Sequence, residues 1–149
     1  RCEIASKLGP DEVINVSEAD SVGEVRRLTD GRGADLVIEC VGGNAGIESF
    51  RQAQEMLARS GTIHLISKYQ GGPLPLYGDD FMDKQLIAGM RISTPREDCM
   101  VDAARMLIDG SVCVEELVTH RLTWQQVPDA YHMLYNHPDQ ALGVILEWD

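Results

Sequence analysis

Apolar positions along this chain change period repeatedly, and the changes predict alternating helices and strands. Residues 1–8 put Ile4, Ala5 and Leu8 on one helical face, and Gly9 ends that turn. Glu12–Val16 predicts a short strand. Residues 17–29 predict a helix carrying Val22, Val25 and Leu28, closed by Gly31. Ala34–Val41 is a nearly continuous, β-branched-rich run that suits a strand covered on both faces of a parallel sheet. Gly42 and Gly43 end it, and Asn44 caps a helix carrying Ile47, Phe50 and Leu57. Thr62–Ser67 is the next strand. Strands separated by helices of this length imply right-handed crossovers within one parallel sheet.

The rhythm then breaks. Tyr69–Asp80 reads as a loop, Phe81–Leu86 as a short helix and Ile87–Ser93 as a strand. Thr94-Pro95-Arg96-Glu97 has the form of a capping box with proline at the first helical position. Met100, Ala103, Ala104 and Leu107 form the expected buried stripe of that helix, which stops at Gly110. Leu117–Leu122 predicts a strand, Thr123–Gln126 a second capping box, and a helix follows to Asn136. Leu142–Trp148 is the last strand. The fold class is therefore α/β, a partial parallel sheet with helices on both faces.

A βαβ architecture normally opens with a strand and a glycine-rich turn that receives phosphates. No such turn stands ahead of residue 12. Val41–Gly46 does not supply one, because Val41 occupies the place of the first required glycine. The chain is thus expected to be the back portion of a larger dinucleotide-binding enzyme.

Composition narrows the function classes. A hydrophobic fraction of 44% and a charged fraction of 25% are those of a globular protein. The net charge of -11 argues against a nucleic acid partner, and the densest basic spot is only Arg26 and Arg27, with Arg32 nearby. No apolar stretch approaches a membrane span, so no membrane partner is expected. Cys2, Cys40, Cys99 and Cys113 are scattered, without the pairing that disulfide frameworks or zinc sites use. Reduced cysteines and a cytoplasmic location are expected. His132 and His137 are five apart across a helix end and share no face, so no metal site is expected in this chain. No serine sits on a Gly-x-Ser-x-Gly elbow, and no catalytic residue is expected either.

Five stretches in register carry a resemblance. They are RCEIASKLGPDEVINV, GRGADLVIECVGG, ARSGTIHLIS, LIAGMRIST and the tail THRLTWQQVPDAYHMLYNHPDQALGVILEWD. In this order they resemble the C-terminal half of zinc-type medium-chain alcohol dehydrogenases, closest to sorbitol and threonine dehydrogenases. The resemblance implies a two-domain parent that binds NAD or NADP and carries its zinc ligands outside this chain. Its substrate would be an alcohol or polyol. Residues 1–92 would be a partial Rossmann domain lacking its first two strands. Residues 93–149 would be the segment returning to the catalytic domain. The chain alone would be inactive.

The resemblance also marks cofactor-facing positions. Arg1 matches a basic position near the adenosine ribose. Cys40, Val41 and Gly42 match the turn beside the nicotinamide ribose, although spacing alone fits a tight helix entry equally well. Ile66 and Ser67 match the end of the next strand, and Met90 and Ile92 the segment that bonds the carboxamide. Near Leu142–Val144 the family often carries a basic residue that this chain lacks. A strand order missing two members would leave an unpaired inner edge at Glu12–Val16, and the resemblance implies a dimer paired through the last nucleotide-domain strand, which makes Leu86–Ser93 a second candidate edge. A homo-oligomer through sheet edges is therefore expected. A zinc-free quinone or enoyl reductase and a non-catalytic interaction module are the alternatives.

Overall fold

The computed structural model describes residues 1–69, 72–89 and 95–148. The chain divides into two compact units, one of Ile14–Ile92 and one of Arg1–Val13 with Ser93–Asp149.

Among its described residues the Ile14–Ile92 unit contains two α-helices and a three-stranded sheet. Counting along the whole chain, α1 is Cys2–Lys7, α2 is Ser21–Leu28, β1 is Ala34–Glu39, α3 is Gly46–Met56, β2 is Leu57–Leu65 and β3 is Gln85–Ala88. The sheet order is β1-β2-β3, and both pairings are parallel, as the alternating pattern predicts. In the register, Val37 stands beside Ile63 and Ile63 beside Leu86. Phe50, Ala53, Leu57, Ile63 and Leu65 form the core, with Val37, Tyr69, Leu74 and Phe81 packed against it.

Four boundaries differ from the sequence reading. Glu12–Val16 forms no strand: Ser17 N–H and Oγ–H instead close a turn on Asn15 Oδ1, at 3.1 and 2.6 Å. The helix expected from residue 17 starts at Ser21, because Asp20 caps it by accepting from Val22 N–H at 3.1 Å. β2 begins at Leu57 rather than Thr62, and its pairing with β1 slips between Ala34 and Leu36, where Ser60 has φ 60°. Residues 81–86 are not a helix. A 3₁₀ turn covers Gly78–Phe81, and strand β3 already runs at Gln85.

The other unit pairs β4 (Val118–Thr123) with β5 (Gly143–Glu147) in parallel and carries α4 (Arg96–Ile108) and α5 (Val127–Asn136). α1 belongs to this unit. There Lys7 Nζ meets Glu116 at 3.2 Å, and the Arg1 guanidinium donates to the Pro138 carbonyl at 3.2 Å. Thr123 and Gln126 form the predicted capping box. α4 departs from expectation. Thr94 lies outside the described residues, Pro95 takes the N-cap position, and α4 holds no buried residue. Its expected stripe of Met100, Ala103, Ala104 and Leu107 is exposed. Among the described residues no helix is long and apolar enough to cross a membrane.

Candidate functional site

Ligands of open α/β sheets bind beyond the carboxyl ends of the strands. In the three-stranded sheet those ends are Cys40–Gly43 after β1 and Ile66–Tyr69 after β2. The two segments are zipped together. Ile66 N–H donates to the Glu39 carbonyl at 3.2 Å, Gly43 N–H donates to the Lys68 carbonyl at 2.9 Å, and Gly43 forms a parallel bridge with Tyr69.

Gly42 is the residue that lets the two segments close. It is buried with φ 59°, and a Cβ there would stand 2.8 Å from both the Lys68 carbonyl oxygen and Ser67 Cβ. A side chain would force the segments apart and strain the backbone. Gly43, at φ 56°, has open space around it.

Between these segments the side chains divide by polarity. Val41 and Ile66 are 61% and 49% exposed, which presents two branched apolar groups at adjacent strand ends. A groove of about 470 Å³ beside β1 is lined by Val16, Ile38, Cys40, Val41, Ala45 and Ser49, among others. Glu39 also lines it; its carboxylate is buried and accepts from Val41 N–H at 3.0 Å, Ser49 Oγ–H at 2.6 Å and Tyr69 O–H. No buried side-chain polar atom among the described residues lacks a partner.

The structure therefore brings Cys40, Val41, Gly42, Ile66 and Ser67 to one end of the sheet. Met90 and Ile92 lie outside the described residues. Just before them, Gly89 N–H donates to the Leu65 carbonyl at 2.9 Å, and Gly89 O lies 3.0 Å from His64 Nε2. Arg1 belongs to the other unit, as the exposed N-cap of α1. Glu39, Ser49 and Tyr69 were not among the expected site residues. The available signal was a glutamate inside the apolar run Leu36-Val37-Ile38-Glu39-Cys40-Val41.

The residue set suits one of the two groups that the resemblance implies. Open apolar strand ends over a glycine turn fit the flat, partly apolar nicotinamide end of a dinucleotide. They do not fit zinc: among the described residues no three His, Cys, Asp or Glu are grouped to hold a metal ion.

A family model described as zinc-binding dehydrogenase matches residues 1–107. The chain belongs to the zinc-binding dehydrogenase family. An alcohol dehydrogenase from Cupriavidus necator is 29% identical over 150 residues, covering 99% of this chain and 40% of that protein. Sorbitol dehydrogenase from Halalkalibacterium halodurans is 27% identical over 147 residues, covering 98% and 41%. Among solved structures, alcohol dehydrogenase TADH from Thermus sp. ATN1 superposes with a TM-score of 0.79 at 28% identity, covering 99% of this chain and 41% of that one. The chain thus spans about two-fifths of the length of the dehydrogenases it matches. The resemblance to medium-chain alcohol dehydrogenases holds for family and fold, and the relatives are oxidoreductases.

Proposed function

We propose that this zinc-binding dehydrogenase chain is the C-terminal part of an oxidoreductase that passes hydride between an alcohol or polyol and NAD or NADP. Its share of the work is to form one wall of the nicotinamide site. The observation that carries this reading is the glycine-zipped pair of strand ends, with Val41 and Ile66 turned outward. A bound nicotinamide dinucleotide supplies the hydride acceptor or donor; the protein orients it and excludes water.

Val41 and Ile66 would lie against the ring and keep water from it. Cys40, Gly42 and Ser67 would set the backbone path beside the ribose, and Met90 and Ile92 would fix the carboxamide through main-chain bonds. Fixing the amide fixes which ring face meets the substrate, and that orientation lowers the barrier. Residues 1–92 would belong to the dinucleotide-binding domain and 93–149 to the segment returning to the catalytic domain. The protein would be cytoplasmic and would form a homo-oligomer through sheet edges, the β3 edge among them.

Calorimetric titration with NAD(H) and NADP(H) tests the division of labour. The full-length protein is expected to bind one of them and to oxidise an alcohol or polyol. The 149-residue chain alone is expected to bind neither tightly. Micromolar affinity in the chain alone would contradict the claim that it holds only one wall.

A further inference from the structure

Glu39 is 3% exposed, and among the described residues its partners are three neutral donors rather than a cation. A buried carboxylate is costly unless hydrogen bonds replace its water. Here the bonds are distributed in a particular way. Oε1 accepts from Val41 N–H in the turn after β1 and from Ser49 Oγ–H in α3. Oε2 accepts from Tyr69 O–H in the segment after β2. The Tyr69 ring also fills the space beside Gly46, 2.6 Å from where a Cβ there would stand. One carboxylate therefore ties both strand-end segments and the start of α3 to the end of β1.

We propose that Glu39 is a positioning residue for the dinucleotide site: its two oxygens hold the Val41–Gly43 turn and the Ser67–Tyr69 segment at the separation that receives the nicotinamide end. The inference rests on the function proposed above. Glu39 is not a catalytic residue, because it acts through Val41, Ser49 and Tyr69.

The bonding pattern makes a sharp distinction between geometry and charge. In a Glu39→Gln side chain, Oε1 still accepts from Val41 and Ser49. The amide Nε2 can donate to the Tyr69 oxygen, whose own proton is then free to turn away. All three links survive without the charge. Glu39→Ala removes all three, and Tyr69→Phe removes one while keeping the ring.

The test uses the full-length protein that carries this chain, with NADH and NADPH as fluorescent probes and amide hydrogen exchange at Gly43 and Ile66 as a second readout. Loss of a buried, multiply bonded group is expected to raise the dinucleotide Kd about tenfold or more in Glu39→Ala, with KM for the dinucleotide rising more than kcat falls. Exchange at Gly43 should accelerate in the same variant. Glu39→Gln should stay within about threefold of the parent protein. Tyr69→Phe should fall between them, and the Glu39→Ala/Tyr69→Phe pair should be no worse than Glu39→Ala alone. Should Glu39→Ala fail to fold, Tyr69→Phe reads the same link. Unchanged exchange at Gly43 in Glu39→Ala and in Tyr69→Phe would overturn the proposal. So would Glu39→Gln binding as weakly as Glu39→Ala, since charge would then be the cause. A parent protein that binds neither probe would sink the dinucleotide reading, while the exchange arm would still decide whether Glu39 sets the two segments.

Discussion

The Arg26 guanidinium donates to the main-chain carbonyl of Glu55 at 2.6 Å, and so seats a cation from α2 at the C-terminal end of α3. It reaches further carbonyls at Gly31, Arg32 and Leu57, at 3.0, 3.2 and 3.4 Å. The last turn of α3 has no basic residue of its own. Arg26 therefore satisfies the orphan carbonyls of that end and opposes its partial negative charge.

Replacing Arg26 by alanine is expected to destabilise the Ile14–Ile92 unit by about 2–3 kcal/mol, in the range for hydrogen bonds to charged groups. Arg26→Lys should recover only part, since an ammonium cannot fork across four carbonyls. Urea unfolding measures both. Of the densest basic spot of the sequence, Arg26 serves as this clamp, while Arg27 pairs with Glu24.

Gly42 and Gly43 share a left-handed backbone and differ in their surroundings. Gly43→Ala should cost only the left-handed penalty, about 1 kcal/mol. Gly42→Ala adds overlap with Ser67 and Lys68, and should cost about 2–4 kcal/mol in total. Thermal unfolding of the two variants side by side checks the order. Equal losses would show that the two segments are not in contact at Gly42.

Several elements were legible in the sequence, and the exceptions have physical causes. Ala34–Glu39 declared itself by its β-branched run, and the Thr123–Gln126 capping box by its spacing. Both are local signals. Glu12–Val16 had the composition of a strand, but the local turn on Asn15 takes up its backbone. Met100, Ala103, Ala104 and Leu107 had helical spacing, and α4 forms, but spacing says nothing about what covers a face. In the site, the glycine turn was readable from Gly42-Gly43. The Glu39–Tyr69 bond was not, because it joins residues 30 apart.

Glu48 offers a test by pH. A hydrogen bond from Arg51 at 2.5 Å, followed by the guanidinium charge and a bond from Gln52, holds its carboxyl below the ordinary glutamate range. Its folded-state pKa is depressed. The stabilisation is therefore present above the unfolded value and lost as pH falls through the folded one. The pair is exposed, so salt should weaken it. Carboxyl carbon NMR is expected to show a Glu48 midpoint that rises in Arg51→Gln. An unmoved midpoint would remove Arg51 as the cause.

Among the described residues β3 pairs only with β2, which leaves its outer edge open. Leu86 on that strand is 39% exposed. Open edges recruit other chains, and a charge on the edge blocks them. Light scattering at high concentration should find self-association that Leu86→Lys reduces. A monodisperse monomer would remove the β3 edge as an interface.

The most direct test is methyl NMR of Val41 and Ile66 in the full-length protein during titration with NAD(H) and NADP(H). If the ends of β1 and β2 receive the nicotinamide, both methyl sets shift and saturate together, while Ile63 in the core holds its position. A dinucleotide that binds to saturation yet leaves Val41 and Ile66 unmoved would contradict the account.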